Sequence, residues 1–372
     1  MSKILLFGDI CPTKDYRHLF DSHKIFSEDI LSEIKAADYV LGNLECPATE
    51  SDSAISKTGP NLRAKPADVN MLASIGFDAM SLANNHILDY GVQGINDTFS
   101  TLKLNGVKYF GAGNDDQEAS KALIVNINDK SIGFLSFAEA EFNLALSCRP
   151  GANHFDPFES LDAIRSLKSK VDYLIVLYHG GIEYYQYPSP LVQKKCRKMI
   201  DCGADLVSIQ HSHCIGSIEN YKDGHIIYGQ GNSVFGVRPD SSTWNQGLLV
   251  SIDPDTALVE YRLMSAEESG VRFADELSNN KVLDEVLKRS KNLTNPEWLK
   301  KSWLGFCLAG KSMTLPQLYG RGKWFNRLNR LTNNKLIDFL YSKFSKMVTL
   351  NLIRCEAHRE VISTILEHET SK

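Results

Sequence analysis

The feature that most constrains the fold is an alternation, over the first 265 residues, of short apolar segments with segments of helical periodicity. The apolar segments predict β-strands at Lys3–Phe7, Tyr39–Leu44, Ala79–Leu82, Val107–Phe110, Leu123–Ile127, Ile132–Phe137, Tyr173–Tyr178, Leu206–Ile209, His225–Tyr228, Gly247–Ile252 and Leu258–Leu263. Helical periodicity predicts helices at Glu28–Ala36, Pro66–Ile75, Val92–Leu104, Asp156–Ser169 and Pro190–Cys202. Early strands alternate with helices, as in a parallel α/β sheet, and later strands cluster as hairpins. This order predicts two packed sheets flanked by helices.

The pattern changes near residue 265, where the strand signals stop and Glu267–Arg289 has helical periodicity. We therefore predict a first domain over residues 1–268 and a basic, mainly helical C-terminal extension over residues 269–372.

Residues 271–372 carry 18 Lys and Arg against 10 Asp and Glu, although the whole chain has a net charge of −4. A basic surface at Lys311–Arg359 would suit a membrane, but we favour a helical cap on the first domain. No motif supports nucleic-acid binding.

Composition excludes several other classes of protein. Apolar runs are far shorter than the roughly 20 residues that cross a bilayer, and the N-terminal run Ile4–Phe7 is too short for a signal peptide. We therefore expect a cytoplasmic protein, at most peripheral to a membrane. The 8 cysteines include no C-x-x-C pair, which favours reduced thiols over a disulfide framework or a structural zinc site.

Residue types that bind metal ions follow several of the predicted strands. They are Asp9, Glu45, the segment Asn84-Asn85-His86, His179 and the segment His211-Ser212-His213. Open α/β sheets place their sites at the carboxyl ends of strands, so we expect these side chains to meet at one edge. The imidazoles of His211 and His213 would point to the same side of an extended segment. Carboxylate, amide and imidazole ligands suit Mn²⁺, Fe, Zn²⁺ and Ni²⁺ alike.

This set of residues is large enough for two divalent ions that share a bridging carboxylate. Such a pair lowers the pKa of a water molecule and clamps a phosphoryl oxygen, and a neighbouring histidine then protonates the leaving group. The residues therefore point to metal-assisted hydrolysis of a phosphoester.

The same segments resemble the motifs of the CapA family, which is associated with bacterial capsule and poly-γ-glutamate synthesis. The matching segments are Gly8-Asp9, Gly42-Asn43-Leu44-Glu45, Ser81-Leu82-Ala83-Asn84-Asn85-His86 with Asp89-Tyr90-Gly91, His179-Gly180-Gly181, Gly203-Ala204-Asp205 with His211-Ser212-His213, and Gly229-Gln230-Gly231-Asn232. They cover residues 3–265 in the family's order. The family resembles calcineurin-like metallophosphoesterases, so the resemblance implies a four-layer α/β/β/α sandwich with the site at the sheet ends.

The resemblance also implies roles for individual residues. One metal ion would be bound by Asp9, Glu45 and His213. The other would be bound by Asn85, His179 and His211, with Glu45 bridging. Asp9 would thereby take part in catalysis, and His86 would be the general acid near the leaving group. Asn43 is an alternative ligand to the first metal ion or a substrate contact.

Four other residues have more than one interpretation each. Arg63 and Lys57 match a family loop that would bind an anionic group. For Arg63, we give equal weight to this role and to that of an exposed charge on a loop. For Lys57, we favour the exposed charge. Glu183 would bind substrate, orient a histidine ligand or cap a loop. Asn232 would lie beside the metals, by the resemblance, or bond its own turn.

Cys11 lies where the metallophosphoesterase pattern Asp-x-His places a histidine, and we interpret it as a buried thiol rather than a ligand.

Three functions follow from these residues. The first is a dinuclear-metal phosphoesterase of capsule or envelope polymer synthesis, in which Arg63 and the metals stabilise charge and His86 donates a proton. The second is a non-catalytic subunit that binds an anionic polymer on the same surface. The third is hydrolysis of a γ-glutamyl amide by the same metal pair. The substrate itself, small molecule or polymer, is expected to be anionic.

Overall fold

The computed structural model describes residues 2–12, 16–57, 59–318, 327–328, 330–332 and 335–370, without the side chains of 311–318, 337 and 338. Its strands, in chain order, are β1 (Ile4–Ile10), β2 (Tyr39–Leu44), β3 (Ala79–Ser81), β4 (Lys108–Phe110), β5 (Ala112–Gly113), β6 (Leu123–Ile127), β7 (Lys130–Ala138), β8 (Gly151–Ala152), β9 (Tyr173–His179), β10 (Leu206–Gln210), β11 (Ile218–Tyr221), β12 (Gly224–Ile227), β13 (Asn232–Val234), β14 (Gln246–Asp253), β15 (Leu258–Glu267) and β16 (Gly270–Phe273).

The helices lie between these strands and after them. They are α1 (Arg17–Asp21), α2 (Glu28–Lys35), α3 (Pro66–Ile75), α4 (Gly91–Leu104), α5 (Asp116–Ala119), α6 (Glu159–Lys168), α7 (Pro190–Asp201), α8 (Glu276–Lys291), α9 (Pro296–Leu318), α10 (Lys335–Leu340), α11 (Lys343–Arg354) and α12 (Glu356–Thr370), with a short 3-10 helix at Asn292–Thr294. Among the helices that the structure describes, none is both long enough and apolar enough to span a bilayer.

Two sheets form the centre of the molecule. The first has the strand order β16-β15-β14-β1-β2-β3-β4, with β13 also paired to β1, and the second has the order β11-β12-β10-β9-β7-β6. Strands β1 to β4 run parallel to one another, as do β7, β9, β10 and β12. The carboxyl ends of the central parallel strands therefore lie at one edge of each sheet.

Alternation along the central strands separates three buried layers. In β1, Leu5 and Phe7 pack against helices, whereas Ile4 and Leu6 pack between the sheets. In β9, Leu174, Val176 and Tyr178 likewise face helices, whereas Tyr173, Ile175 and Leu177 face the other sheet. Successive strand residues point to opposite faces, so strands that are apolar at every position must be covered on both faces. This confirms the predicted four-layer α/β/β/α sandwich.

The prediction of a helix starting at Glu267 is wrong for its first residues. Strand β15 continues to Glu267, and β16 pairs antiparallel with it, so the first sheet extends through Phe273 before α8 begins at Glu276. The division at residue 268 stays a prediction. Five strands absent from the prediction, β5, β8, β11, β13 and β16, have at most four residues each, too few to show a period.

The helical extension packs on the sandwich. Helix α9 contacts α7, α11 and α12, and Leu293 and Leu299 join the apolar layer on the outer face of the second sheet. Binding of a membrane by the basic segment Lys311–Arg359 stays a prediction, and part of that segment, 319–326, lies outside the described residues.

Candidate metal centre

Strands β1 and β2 deliver the carboxylates of the site. Asp9 and Asn43 are neighbours in the parallel pair, and Asn43 Nδ2 donates a hydrogen bond to Asp9 Oδ1 at 2.8 Å. Glu45 follows β2 directly and is fully buried. Both carboxylates therefore enter the space beyond the sheet edge while their backbone stays anchored in the sheet.

Strands β9 and β10 of the second sheet deliver the histidines. His179 ends β9 beside Gln210, which ends β10, so His211 follows at the same edge. The His211 backbone N–H donates to Asp9 Oδ2 at 3.0 Å, which joins the two sheets at the site. The expected extended geometry is wrong here, because φ is 88° at His211 and 51° at His213. Such backbone is unfavourable for residues other than glycine and often marks a functional site.

The side chains converge into two groups that share Glu45. Ligand atoms of Glu45, His179 and His211 lie within 4.8 Å of one another, and so do those of Asp9, Glu45 and His213. Glu45 Oε1 is 3.5 Å from His179 Nε2 and 3.8 Å from His213 Nε2. We call these five side chains the candidate metal centre.

The donor atoms of the candidate metal centre fit divalent metal ions. Among the described residues, neither carboxylate oxygen of Glu45 nor Nδ1 of His211 has a hydrogen-bond partner, although all three atoms are buried. Burial raises the pKa of Glu45 well above its usual range, and the nearby Asp9 carboxylate adds to this. Buried charges in proteins are paired or coordinate metals, so a cation is the partner that this set of atoms lacks.

Burial also keeps His179 and His213 neutral, as metal ligands must be. It lowers the pKa of His213 to about 3 and that of His179 well below its usual range, with neighbouring histidines adding to both shifts. Neutral imidazoles and carboxylates suit Mn²⁺, Fe, Zn²⁺ and Ni²⁺.

Amide side chains orient the ligands. Asn232 Oδ1 lies 2.9 Å from His213 Nδ1, and Asn232 Nδ2 donates to the Trp244 carbonyl at 2.9 Å. Asn43 Nδ2 is 3.2 Å from His179 Nδ1, and Asn85 Oδ1 is 3.1 Å from His179 Nε2. Asn232 thus bonds a histidine rather than its own turn, and Asn85 lies where it would join the second ligand group.

His86 is held by a buried charge pair. Its Nδ1 lies 2.7 Å from Asp89 Oδ2 and 3.0 Å from Lys57 Nζ, and Lys57 forms an ion pair with Asp89. Burial lowers the pKa of His86. Lys57 is only 9% exposed, so the favoured interpretation of it as an exposed loop charge is wrong.

A pocket of about 300 Å³ opens beside the candidate metal centre. Its lining includes Lys57, Asn85, His86, His211 and Glu183. Glu183 is exposed there. These residues come from both sheets, so the pocket lies at the shared edge.

The structure does not bring Arg63 into this pocket. Its guanidinium bonds the Ser51 carbonyl, lies 3.0 Å from Asp52 Oδ1 and stacks over Tyr90, and it lines a separate pocket with Arg17. Among the described lining residues, the basic side chain that takes its predicted place is Lys57.

Cys11 belongs to neither ligand group. Its thiol lies against Cys46, and that contact together with burial raises its pKa well above the usual range. A protonated, buried thiol matches the interpretation from the sequence.

Some residues at the site were not predicted. Asp89 stands three residues after His86 and within a matched motif, so its pairing with His86 was open to prediction from spacing. Asn351 and His358 also line the pocket, but they come from the C-terminal helices and have no signal in the sequence.

The fold and the site together define the class of protein: an α/β/β/α sandwich with two groups of candidate metal ligands at the sheet ends. Comparison with known proteins identifies the family within that class. The family described as bacterial capsule synthesis protein PGA_cap matches residues 3–237. The chain belongs to this family, which confirms the resemblance drawn from its motifs.

Two curated relatives carry related names. The chain is 33% identical over 256 residues to the capsule biosynthesis protein CapA of Bacillus anthracis, covering 66% of this chain and 59% of that protein. It is 31% identical over 238 residues to the PGA biosynthesis protein CapA of Bacillus subtilis, covering 62% and 58%. The matches thus span less than two thirds of either relative.

Solved structures give weaker similarities. A phosphatase from Mycoplasma pneumoniae aligns with a TM-score of 0.47 and 16% identity, over 71% of this chain and 93% of that one. A 5'-nucleotidase precursor from Thermus thermophilus aligns with a TM-score of 0.40 and 14% identity, over 79% and 60%. Scores this low add nothing to the fold described above.

Proposed function

We propose that this chain is a metal-dependent phosphoesterase that hydrolyses an anionic phosphoester in the synthesis of a capsule or envelope polymer, polysaccharide or polyglutamate. The observation that carries the proposal is Glu45, a buried carboxylate shared by two ligand groups, with neither oxygen hydrogen-bonded to any residue that the structure describes. A carboxylate in that position is suited to bridge two cations.

The residues that would hold the ions are the five of the candidate metal centre, with Asn85 completing the group that contains His179. Bound divalent ions would supply Lewis-acid chemistry, lowering the pKa of a water molecule and neutralising charge on a phosphoryl oxygen. Asn43 and Asn232 would keep the imidazoles in one tautomer and orientation, because each contacts the ring nitrogen of a ligand histidine.

His86 would transfer the proton to the leaving group. With Nδ1 held between Asp89 and Lys57, Nε2 is the nitrogen that would serve the substrate, and the ring lines the pocket. Asp89 stabilises the imidazolium form, and Lys57 balances the charge of Asp89 inside the protein. Lys57, rather than Arg63, is the basic side chain that would attract an anionic group into this pocket.

The place of this reaction in capsule synthesis is supported by family membership and by the names of the relatives. Since the matches cover less than two thirds of those proteins, their activities, substrates and partners are extended to this chain as part of the proposal.

The test is hydrolysis of a panel of phosphomonoesters and phosphodiesters by the full chain loaded with Mn²⁺. His86→Ala is expected to reduce kcat by about 10²–10⁴-fold while metal content stays unchanged, because general acid catalysis contributes that range. His179→Ala is expected to lose metal, and the exposed His18→Ala is the matched control for both.

Absence of hydrolysis in a protein shown to contain metal would overturn the proposal. Product analysis with γ-glutamyl peptides would then identify amide hydrolysis. Tight binding of an anionic polymer without turnover would identify a non-catalytic subunit.

A further inference from the structure

The C-terminal helices lie beyond residues 3–237, which the family match covers, and they are fixed to the sandwich by charged helix caps. Glu139, just after β7, accepts a hydrogen bond from the Ala357 backbone N–H at 3.2 Å, at the start of α12. In return, Glu360 of α12 accepts from the Leu191 backbone N–H at 3.0 Å, in the first turn of α7. The Glu139 carboxylate therefore stabilises the N-terminus of α12, and the Glu360 carboxylate stabilises the N-terminus of α7.

Apolar contacts fix the same helices to the loop that follows His179. Tyr185 of that loop packs with Trp303 and Cys307 of α9 and with Val361 and Ile365 of α12. Its hydroxyl lies 2.9 Å from the Ser302 hydroxyl. The loop also carries Glu183, so the extension supports one wall of the pocket.

Two polar residues of the extension reach the pocket itself. Asn351 of α11 and His358 of α12 line it together with His86 and His211. Asn351 is 6% exposed, and among the described residues its Oδ1 has no hydrogen-bond partner. A buried polar atom of this kind calls for an explanation, and a binding site provides one.

The contact between these two residues determines what His358 offers. Asn351 Nδ2 lies 3.3 Å from His358 Nδ1. An amide nitrogen only donates hydrogen bonds, so Nδ1 accepts and the ring proton lies on Nε2. His358 therefore offers an N–H donor, and Asn351 is the residue that positions it.

We propose that His358 binds a hydroxyl group of the substrate's alcohol portion, so that the extension selects phosphoesters of polyhydroxylated alcohols such as sugars and polyols. The proposal rests on the proposed function, which places the phosphoryl group at the candidate metal centre.

The charges of the pocket favour a hydroxyl over a carboxylate as the group that His358 binds. Glu141 and Glu183 line the same pocket, and they would repel a substrate carboxylate. A hydroxyl accepts from the imidazole N–H and still donates to a carboxylate, so it satisfies both kinds of neighbour.

The test measures binding by calorimetry with the full chain loaded with Mn²⁺, in a His86→Gln background that slows turnover. The probes are inorganic phosphate, phenyl phosphate, 3-phosphoglycerate, glycerol 3-phosphate and glucose 1-phosphate. We expect at least one of the last two to bind about 10-fold more tightly than phenyl phosphate, which is the factor that a free energy of 1.4 kcal/mol supplies.

Variants then locate the source of this preference. His358→Phe is expected to abolish it while leaving the Kd for inorganic phosphate unchanged, and His358→Gln, which keeps an N–H donor, is expected to retain part of it. Asn351→Leu is expected to reduce the preference. Ser363→Ala is the matched control, because Ser363 is exposed on α12, the helix that carries His358. Thermal unfolding of each variant shows whether it folds.

Each other outcome contradicts the inference in a distinct way. A preference for 3-phosphoglycerate, or no preference among the esters, would overturn the assignment of a hydroxyl. If His358→Phe lost affinity for inorganic phosphate and for the esters by equal factors, His358 would instead lie at the phosphoryl group. Failure of inorganic phosphate to bind would overturn the proposed function, and this inference with it.

Discussion

At the scale of single residues, Glu45 combines full burial, a carboxylate and the absence of hydrogen bonds to either oxygen among the described residues. In a protein without metal, such a group is a cost to folding because its buried carboxyl group is neither solvated nor hydrogen-bonded to any described residue. With cations bound, the same carboxylate would be the ligand common to both groups. Glu45 therefore links stability to metal binding.

Glu45→Gln separates these two effects. We expect the metal-free variant to be at least as stable as the metal-free wild type, because the buried charge is gone. Mn²⁺ at 100 times its Kd should stabilise the wild type by about 2.7 kcal/mol and the variant by much less. Thermal unfolding with and without Mn²⁺ measures both, and an unchanged metal-induced shift in the variant would contradict the assignment of Glu45 as a ligand.

His225 on β12 allows a test of pH dependence away from the metal centre. Its Nδ1 lies 2.5 Å from Asn220 Oδ1, its Nε2 contacts the Tyr261 hydroxyl, and burial lowers its pKa to about 4. The unfolded chain binds this proton near pH 6.5, so the contribution of His225 is complete above that pH and is lost as the pH falls towards 4.

Between pH 7 and pH 4, we expect the unfolding free energy of the wild type to fall by up to about 3 kcal/mol more than that of His225→Gln. Denaturant unfolding at each pH measures the difference, with the exposed His18→Gln as control. Parallel pH profiles for wild type and variant would show that His225 already titrates normally in the folded protein.

At the scale of elements, the position of β13 on β1 depends on close backbone contacts. A Cβ atom at Gly247 would lie 2.1 Å from the Asn232 carbonyl oxygen, and one at Gly8 would lie 2.4 Å from the Gly231 carbonyl oxygen. Asn232 is paired with Asp9 in this arrangement and contacts His213. Glycines in the first sheet thus allow Asn232 to orient His213, a candidate metal ligand.

Gly247→Ala is expected to destabilise the fold by about 2 kcal/mol, because the added methyl group overpacks this contact. It should also weaken Mn²⁺ affinity by about 10-fold or more through displacement of Asn232. Gly305→Ala is the matched control, since a Cβ there meets nothing within 4 Å and alanine favours the exposed helix. Equal stability of both variants, measured by denaturant unfolding, would contradict the argument.

At the scale of the whole molecule, two sheets and a helical extension meet at one edge. The buried Glu139 is central to that junction, since it accepts from Tyr178 Oη at 2.8 Å and from the Ala357 N–H, and lies 3.8 Å from Lys195 Nζ. Its carboxylate thus joins β9, α7 and α12. The pocket wall formed by the extension is only as well ordered as this junction.

Glu139→Gln is expected to loosen α12 by about 2 kcal/mol, because hydrogen bonds to a charged group are replaced by weaker neutral ones. Hydrogen exchange of residues 356–370 should accelerate while exchange in β1 and β2 stays slow. The exposed Glu159→Gln serves as control. Unchanged protection of α12 would show that the apolar contacts of Tyr185 alone hold the extension.

The sequence by itself determined the sandwich and indicated the residues of the candidate metal centre. Strands such as β2 and β9 are apolar at consecutive positions, a pattern that requires burial on both faces, and polar ligands directly after such strands must lie at the sheet edge. The order of residue types within and just after each strand was sufficient for both conclusions. Motifs that match a family added the roles expected for Asn85 and His86.

Only the tertiary structure decided which side chains share the pocket. Arg63 and Lys57 stand in one loop, yet Lys57 is buried against Asp89 whereas Arg63 bonds Ser51 and Asp52. Asn351 and His358 are far from the motifs in sequence and reach the pocket because α11 and α12 pack on α9. Contacts between residues distant in sequence depend on how layers pack, and no local pattern of residues records that packing.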